Sequence, residues 1–178
     1  MLPVIGRMFE TYRNFLDGCN TESDIHEHLP TLFRFASKCD TVVEFGVRFG
    51  TSSRALIAAR PESLISYDTT VEPEAEALFA AGRAEGLNCQ LIEKSSFDIE
   101  LELTEFLFID SDHSYDCLTK ELKLHADRVT RFIAFHDTVS YGRELMPAID
   151  EFLKEHPEWQ PLEVYDNNNG FIVIHRVA

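Results

Sequence analysis

Apolar positions along the chain follow two spacings, one typical of helices and one typical of strands. Residues 7–16 and 23–38 place apolar side chains three and four positions apart, which predicts two amphipathic helices. Farther along, short β-rich runs alternate with helical stretches. The predicted strands are 41–45, 63–67, 88–93, 105–109 and 131–135, and the predicted helices are 51–59, 72–86, 114–127 and 145–155. This alternation predicts a parallel sheet with right-handed crossovers and helices on both faces.

The C-terminal stretch has a different pattern. Two β-rich runs flank Asn167, Asn168, Asn169 and Gly170, residue types that tolerate the positive φ of a hairpin turn. We therefore expect an α/β fold, a Rossmann-like and mostly parallel sheet of seven strands that ends in an antiparallel hairpin. Residues 1–178 are predicted to form a single domain, with a helical extension over 1–38 and the core over 39–178.

Composition and charge narrow the range of partners. The formal net charge of −15 would repel a nucleic-acid backbone or an anionic membrane surface, so neither is expected as a partner. No apolar run is long enough for a membrane helix and the first residues lack a signal-peptide layout, which predicts a cytoplasmic protein. The four cysteines include no C-x-x-C pair, which favours reduced, mostly buried thiols.

A first chemical signal lies where the first predicted strand ends. Glu44 closes that strand, and Gly46 and Gly50 follow it before a helix. Asp68 closes the next strand, 24 residues later, close to the offset at which an acid binds ribose hydroxyls in dinucleotide-binding folds. The fingerprint G-x-G-x-x-G is absent, and an acid at position 44 would repel a pyrophosphate. This pattern favours a nucleoside that carries a positive group. A plain turn, with Asp68 as a loop acid or helix cap, is the structural alternative.

A second signal combines two neighbouring strand ends. Asp110, Asp112 and His113 follow one strand, and His136 and Asp137 close the next. We call these five residues the acidic rim. Such a set can hold Mg²⁺ or a softer divalent ion. The structural alternative makes Asp112 and Ser114 helix caps and leaves His136 bonded to backbone.

The segments VVEFGVRFGTSS, ISYD, IEKSSFD, FLFIDSDHSY and FIAFHDT occur in this order between about 41 and 140. Together they resemble class I S-adenosylmethionine-dependent methyltransferases. The pair IDSDHSY and FHDT is most similar to the branch that contains cephalosporin-biosynthesis and macrolide-sugar O-methyltransferases. The resemblance implies transfer of a methyl group from S-adenosylmethionine to a small hydroxylated acceptor.

The resemblance also implies roles for individual residues. Glu44 and the backbone from Gly46 to Thr51 would hold the methionine portion, Asp68 the ribose, and residues 95–97 the adenine. The full set of expected cofactor contacts is Glu44, Gly46, Val47, Arg48, Gly50, Thr51, Asp68, Ser95, Ser96, Phe97 and Asp110. Many relatives place an acid beside the first serine to meet the adenine amine, whereas this chain has two serines. Because Asp68 closes a strand, its replacement is expected to leave stability nearly unchanged.

For catalysis, the resemblance implies His113 as the base, with Asp112 beside it. Asp110 and Asp137 would bind a divalent metal such as Mg²⁺, and His136, which stands where relatives have an acid, is the third candidate ligand. Two other functions remain open. One is a non-catalytic S-adenosylmethionine-binding sensor or scaffold, and the other is a metal-dependent hydrolase that uses only the rim.

The remaining segments leave the acceptor undefined. Only residues 1–38 and 138–145 could cover the site, so either it is open to a larger substrate or a second subunit covers it as a homo-oligomer. The candidates for such a subunit contact are Phe9, Tyr12 and Phe15, which would otherwise form a core face of the chain itself. His26 and His28 stand two apart on a predicted helix and are expected on its solvated surface.

Overall fold

A computed structural model describes residues 9–177, and seven strands in it form one mixed sheet. The strands are β1 (Thr41–Phe45), β2 (Ser63–Asp68), β3 (Cys89–Glu93), β4 (Thr104–Ile109), β5 (Val129–His136), β6 (Trp159–Tyr165) and β7 (Phe171–Arg176). Their order is β3-β2-β1-β4-β5-β7-β6. The first five are parallel, and β7 pairs antiparallel with both β5 and β6. The predicted fold class and the C-terminal hairpin are therefore confirmed.

Within residues 9–177, six α-helices flank the sheet: α1 (Glu10–Asn20), α2 (Leu29–Ala36), α3 (Thr51–Ala59), α4 (Pro73–Ala84), α5 (Tyr115–His125) and α6 (Gly142–Glu155). Helix α1 was predicted over 7–16 but continues to Asn20, and residues 7 and 8 lie outside the described part. The helix predicted over 23–38 is wrong in its first half. Residues 26–28 form a single 3-10 turn, and α2 begins only at Leu29, where Pro30 suits the first turn of a helix.

Two apolar clusters form the core, one on each face of the sheet. Side chains alternate along each strand, so Val42 faces one cluster and Val43 the other. The first cluster joins the sheet to α1, α2, α3 and α4, and the second joins it to α5 and α6. Because both faces are covered, the central strands are apolar on both sides and leave only their carboxyl ends free for a ligand.

The three N-terminal aromatic residues differ in burial. Phe15 is 5% exposed and stacks on Phe33 of α2 with ring centroids 4.8 Å apart. This contact corrects the hypothesis that Phe15 forms a subunit contact. Phe9 and Tyr12 stay exposed, and the oligomeric state stays a prediction. Across residues 9–177, none of the helices has the length and apolar character needed to cross a membrane.

Candidate active site

A cavity of about 520 Å³ opens at the carboxyl ends of β1, β2 and β4, within the size range of small-molecule sites. Asp68 and residues 95–97 line one part of it, and four members of the rim, Asp110, Asp112, His113 and Asp137, line another. A second cavity, of about 340 Å³, lies against the turn after β1 and the start of α3. The two cavities adjoin, and both are lined by Asp24, Val47, Arg48 and Asp110.

The turn after β1 depends on glycine at Gly46. Its φ is +83°, and a Cβ built there would lie 2.0 Å from the carbonyl oxygen of Asp110. Gly50, with φ +82°, begins α3. The two glycines let the backbone of residues 46–50 turn sharply and pass directly against the end of β4. This close approach brings Val47, Arg48 and Asp110 to one place in the cavity wall.

Asp68 lies in the cavity wall and binds the turn after β1. Its Oδ2 accepts hydrogen bonds from the backbone N–H of Val47 at 2.6 Å and of Arg48 at 2.8 Å. Its Oδ1 accepts from the backbone N–H of Thr70 at 3.1 Å. A partly exposed carboxylate with these bonds holds the glycine turn in place and still presents oxygen atoms to a ligand.

Glu44 lies beneath the turn and is 0% exposed. Its two carboxylate oxygens accept hydrogen bonds from the hydroxyls of Ser52, Ser53 and Ser66, at 2.5, 2.7 and 2.6 Å. This corrects the expectation that Glu44 itself holds the methionine portion. Position 44 shares the α3-facing side of β1 with Val42, so its side chain is directed at the first turn of α3 and supports the cavity from below.

Glu44 should make stability depend on pH. Burial, opposed by the three serine bonds, raises the pKa of Glu44 to about 7, above its ordinary 4.5. The folded state therefore binds this proton more tightly than the unfolded state, and stability should rise as pH falls from 7 to 4.5. Relative to Glu44→Gln, wild type should gain about 3 kcal/mol over this range.

Denaturant unfolding at several pH values measures this difference. Glu93→Gln, which changes an exposed glutamate at the end of β3, is the matched control and should follow wild type. Parallel pH curves for wild type and Glu44→Gln would contradict the assignment.

Residues 95–97, the predicted adenine contacts, line the larger cavity. Ser95 Oγ accepts the backbone N–H of Phe97 at 3.2 Å and starts a short 3-10 turn. Ser96 Oγ donates to Glu121 of α5 at 2.7 Å. Burial raises the pKa of Glu121, and the hydroxyls of Ser96 and Ser111 oppose this rise. Sequence patterns do not indicate Glu121, because helical spacing alone does not show that α5 directs an acid at the serines that follow β3 and β4.

Three members of the acidic rim converge. His113 Nε2 lies 3.0 Å from Asp137 Oδ2 and 3.4 Å from Asp110 Oδ1. The His113 ring stacks on Tyr141, with centroids 4.4 Å apart. Asp137 adopts a left-handed φ of +59° at the end of β5, a strained conformation for a residue with a side chain. This conformation turns the chain out of β5 and brings the Asp137 carboxylate under His113.

His136 does not join these three as an available ligand, which corrects its assignment to the metal. Its Nε2 contacts the backbone oxygens of Asp24 at 3.0 Å and Asn168 at 3.2 Å, and its Nδ1 contacts Asp110 Oδ1 at 3.2 Å. Along β5, residues 132, 134 and 136 share one side, and Phe132 and Ala134 pack in the cluster that contains α2. His136 is thus directed toward α2 and the hairpin turn, while His113 approaches from the loop after β4.

The close charges shift the pKa values of the rim. Hydrogen bonds to Asp110 and Asp137 raise the pKa of His113 to about 10, although burial by itself would lower it. Burial acts to raise the pKa of Asp110, but the bonds from His113 and His136 outweigh it and the net pKa is lowered. Burial acts to lower the pKa of His136, and its bond to Asp110 reverses this effect, so the pKa is raised. At neutral pH His113 is therefore protonated and pairs with both carboxylates.

Asp112 caps a helix, as the structural alternative predicted. Its Oδ1 accepts the backbone N–H of Ser114 at 3.0 Å, and Ser114 Oγ accepts that of Cys117 at 3.3 Å. Both bonds cap the start of α5. Asp112 is exposed at the edge of the cavity, so the structure favours a capping role over a catalytic one.

A segment that sequence patterns placed in a helix forms part of the cavity wall. Residues 23–25, the start of the helix predicted over 23–38, are irregular, and Asp24 lines both cavities. Asn168 fixes this segment: its Oδ1 accepts the N–H of Glu27 at 2.9 Å, and its Nδ2 donates to the Ser23 oxygen at 2.8 Å. The expectation of a solvated His28 is wrong, since its side chain is buried, stacks on Phe171 and contacts the Asn167 oxygen at 2.9 Å.

No family model and no curated protein sequence matches this chain. Solved structures resemble it over nearly its full length. An O-methyltransferase from Bacillus cereus in complex with S-adenosylhomocysteine has a TM-score of 0.67 at 12% identity, covering 98% of this chain and 93% of that one. The N-methyltransferase NodS from Bradyrhizobium japonicum, also with S-adenosylhomocysteine, has 0.65 at 13%, covering 93% and 98%. The S-adenosylhomocysteine-bound methyltransferase PaMTH1 from Podospora anserina has 0.67 at 15%, covering 96% and 89%. The chain has the class I methyltransferase fold.

Within this methyltransferase fold, the observed site fits a nucleoside cofactor and a divalent cation. Gly46, Val47 and Arg48 line the larger cavity, so the backbone of the glycine turn faces a ligand placed there. Asp110, His113 and Asp137 each offer a ligand atom, all within 4.8 Å of one another. Asp137 Oδ1 is buried, and no group in the described residues hydrogen-bonds it. Two carboxylates and an imidazole are a donor set for Mg²⁺ or a softer divalent ion.

Proposed function

We propose that this protein is an S-adenosylmethionine-dependent methyltransferase that methylates a hydroxyl group of a small acceptor. The observation that carries the proposal is the arrangement of one cavity: a strand-end acid, Asp68, and the turn at 95–97 occupy one part, and the rim carboxylates with His113 occupy another. A nucleoside bound at Asp68 and residues 95–97 would direct its sulfur substituent toward the rim carboxylates and His113. Solved relatives of this fold carry S-adenosylhomocysteine in their structures, which supports this choice of ligand.

The residues of the chain would act mainly by positioning. When bound, S-adenosylmethionine supplies a methyl group on a positively charged sulfur. The turn after β1 and Asp68 orient the nucleoside, and the rim orients the acceptor hydroxyl. Positioning of two reactants can lower the barrier by roughly 7–11 kcal/mol. The hydroxyl proton passes to His113, and no covalent enzyme intermediate is needed.

A divalent cation fits this scheme through the carboxylates of Asp110 and Asp137, with His113 kept as the base. The pairing with Asp110 and Asp137 keeps His113 protonated, so a second positive charge on these carboxylates is what would free it to accept a proton. A bound cation also lowers the pKa of a coordinated hydroxyl. We therefore propose Mg²⁺ or another divalent ion as an activator, held by two carboxylates at the rim.

One titration decides most of this proposal. Calorimetry with S-adenosylmethionine and S-adenosylhomocysteine, each with and without Mg²⁺, should show saturable binding of both. Absence of binding at millimolar concentration would exclude the methyltransferase. Binding without any acceptor turnover across a panel of sugars and catechols would favour the sensor or scaffold. Hydrolysis of esters by the protein without either nucleoside would favour the hydrolase.

Asp68→Ala should weaken the binding of S-adenosylhomocysteine by about 1.5–3 kcal/mol, the scale for hydrogen bonds to a charged group. The structure changes the expectation for stability. Three backbone N–H groups, of Val47, Arg48 and Thr70, lose their acceptor, so unfolding should cost about 1–2 kcal/mol less than in wild type. Calorimetry and urea unfolding measure the two effects.

The control for Asp68→Ala is Glu62→Ala, which removes an exposed acid just before the start of β2. It should leave both quantities as in wild type. Wild-type affinity in Asp68→Ala would exclude a ribose contact.

A further inference from the structure

Glu121, Ser96 and Ser111 form a hydrogen-bonded cluster at the cavity wall. Ser96 Oγ donates to Glu121 Oε1 at 2.7 Å, and Ser111 Oγ lies 2.8 Å from both Glu121 oxygens. Glu121 is 0% exposed, while both serines are partly exposed in the cavity. Ser96 follows β3, Ser111 follows β4, and Glu121 belongs to α5. Three separate segments therefore meet at one carboxylate.

The carboxylate fixes the direction of both serine hydroxyls. Both Glu121 oxygens lie within hydrogen-bond distance of serine hydroxyls that donate to them, and a serine hydroxyl has a single hydrogen to donate. Each serine therefore directs its hydrogen at Glu121 and keeps oxygen lone pairs for the cavity. Among the groups that the structure describes, the only other polar partner of either hydroxyl is the sulfur of Cys117, at 4.0 Å from Ser111 Oγ. This part of the wall thus presents acceptors.

We propose that Glu121 is a positioning residue that makes this wall select a purine with a 6-amino group over one with a 6-oxo group. The inference rests on the proposed cofactor. The amine of adenine donates hydrogen bonds and meets the serine lone pairs, whereas a 6-oxo group would place an acceptor against an acceptor. The chain lacks an acid next to Ser95. Helix α5 supplies an acid instead, Glu121, which contacts the serines on the side away from the cavity.

Glu121→Gln tests the proposal without changing side-chain volume. The amide both donates and accepts, so one serine can turn its hydrogen into the cavity and bind a 6-oxo group. The discrimination should fall while the fold is kept. Asp98→Asn is the matched control, since it removes an exposed negative charge from the same 3-10 turn as Ser96 and leaves both hydroxyls bonded to Glu121.

The measurement is calorimetric titration of the whole protein with S-adenosylhomocysteine and with its 6-oxo analogue S-inosylhomocysteine. Wild type and Asp98→Asn should bind the amino form about 10- to 100-fold more tightly. Glu121→Gln should bring the two affinities close to parity, and melting curves should show that it is folded. Ser96→Ala, which leaves Glu121 bonded to Ser111, should weaken the amino form alone by about tenfold.

Equal binding of the two forms by wild type would overturn the inference and leave the proposed function intact. Full discrimination in folded Glu121→Gln would do the same. If neither form binds wild type, the proposed function fails, and the inference fails with it. Should Glu121→Gln not fold, Ser96→Ala decides: an unchanged ratio of affinities in that variant would overturn the inference.

Discussion

His113→Ala should slow methyl transfer roughly 10²–10⁴-fold, the usual contribution of a positioned base. His113 is the rim histidine that faces the cavity, with Nε2 3.0 Å from Asp137 and its ring stacked on Tyr141. Its contacts are with Asp110, Asp137 and Tyr141 and not with Asp68 or the turn at 95–97, so S-adenosylhomocysteine affinity should stay within about twofold of wild type. Formation of S-adenosylhomocysteine against a panel of sugars and catechols measures the rate, and calorimetry measures the affinity.

A second histidine variant separates the loss of a base from a general effect of histidine removal. His156→Ala removes a half-exposed histidine at the end of α6, which stacks on Phe152 outside both cavities. Its rate should match wild type. An unchanged rate in His113→Ala would remove His113 as the base and leave Asp137 as the nearest alternative acceptor of the proton.

Gly46→Ala should destabilise the fold by more than about 3 kcal/mol, a large part of the stability of a domain of this size. The new Cβ would lie 2.0 Å from the Asp110 oxygen and 2.5 Å from its carbonyl carbon. Neither backbone can move away easily. The N–H of Gly46 donates to Tyr67 at 3.0 Å, and the N–H of Asp110 donates to Phe45 at 2.8 Å. Relief of the clash must therefore break bonds at the centre of the sheet.

Gly86→Ala provides the control for the effect of backbone conformation. Gly86 has the same φ, +83°, and nothing lies within 4 Å of a Cβ built there. It should lose only about 1–2 kcal/mol, the cost of a left-handed residue with a side chain. Urea unfolding compares the two variants. Equal losses would show that the approach of Gly46 to Asp110 does not determine stability.

The local pattern of apolar and polar residues was sufficient to predict the strands of the sheet. Each central strand is short, apolar and closed by a turn or polar residue, so spacing alone placed β1, β2 and β4 to within a residue or so. Strand alternation with helices predicted parallel pairing and covered faces, because a crossover helix must pack back on its sheet. The same logic placed the strand-end residues Asp68, Asp110 and Asp137 on one edge, where they line one cavity.

Only the tertiary structure decided which of these side chains meet. Sequence spacing gave His113 and His136 similar places at adjacent strand ends. The pleat of β5 directs Nε2 of His136 to the hairpin turn, whereas Nε2 of His113 lies near both Asp110 and Asp137. Contacts between distant segments carry no local signal: Asn168 fixes residues 23–27, and Glu121 reaches Ser96 across 25 positions. The place of Glu44 near the end of β1 predicted a cofactor contact. Only the packing of α3 and β2 against β1 shows that three serines surround it. Periodicity determines which face of an element is buried, whereas the partner on that face depends on how the elements pack.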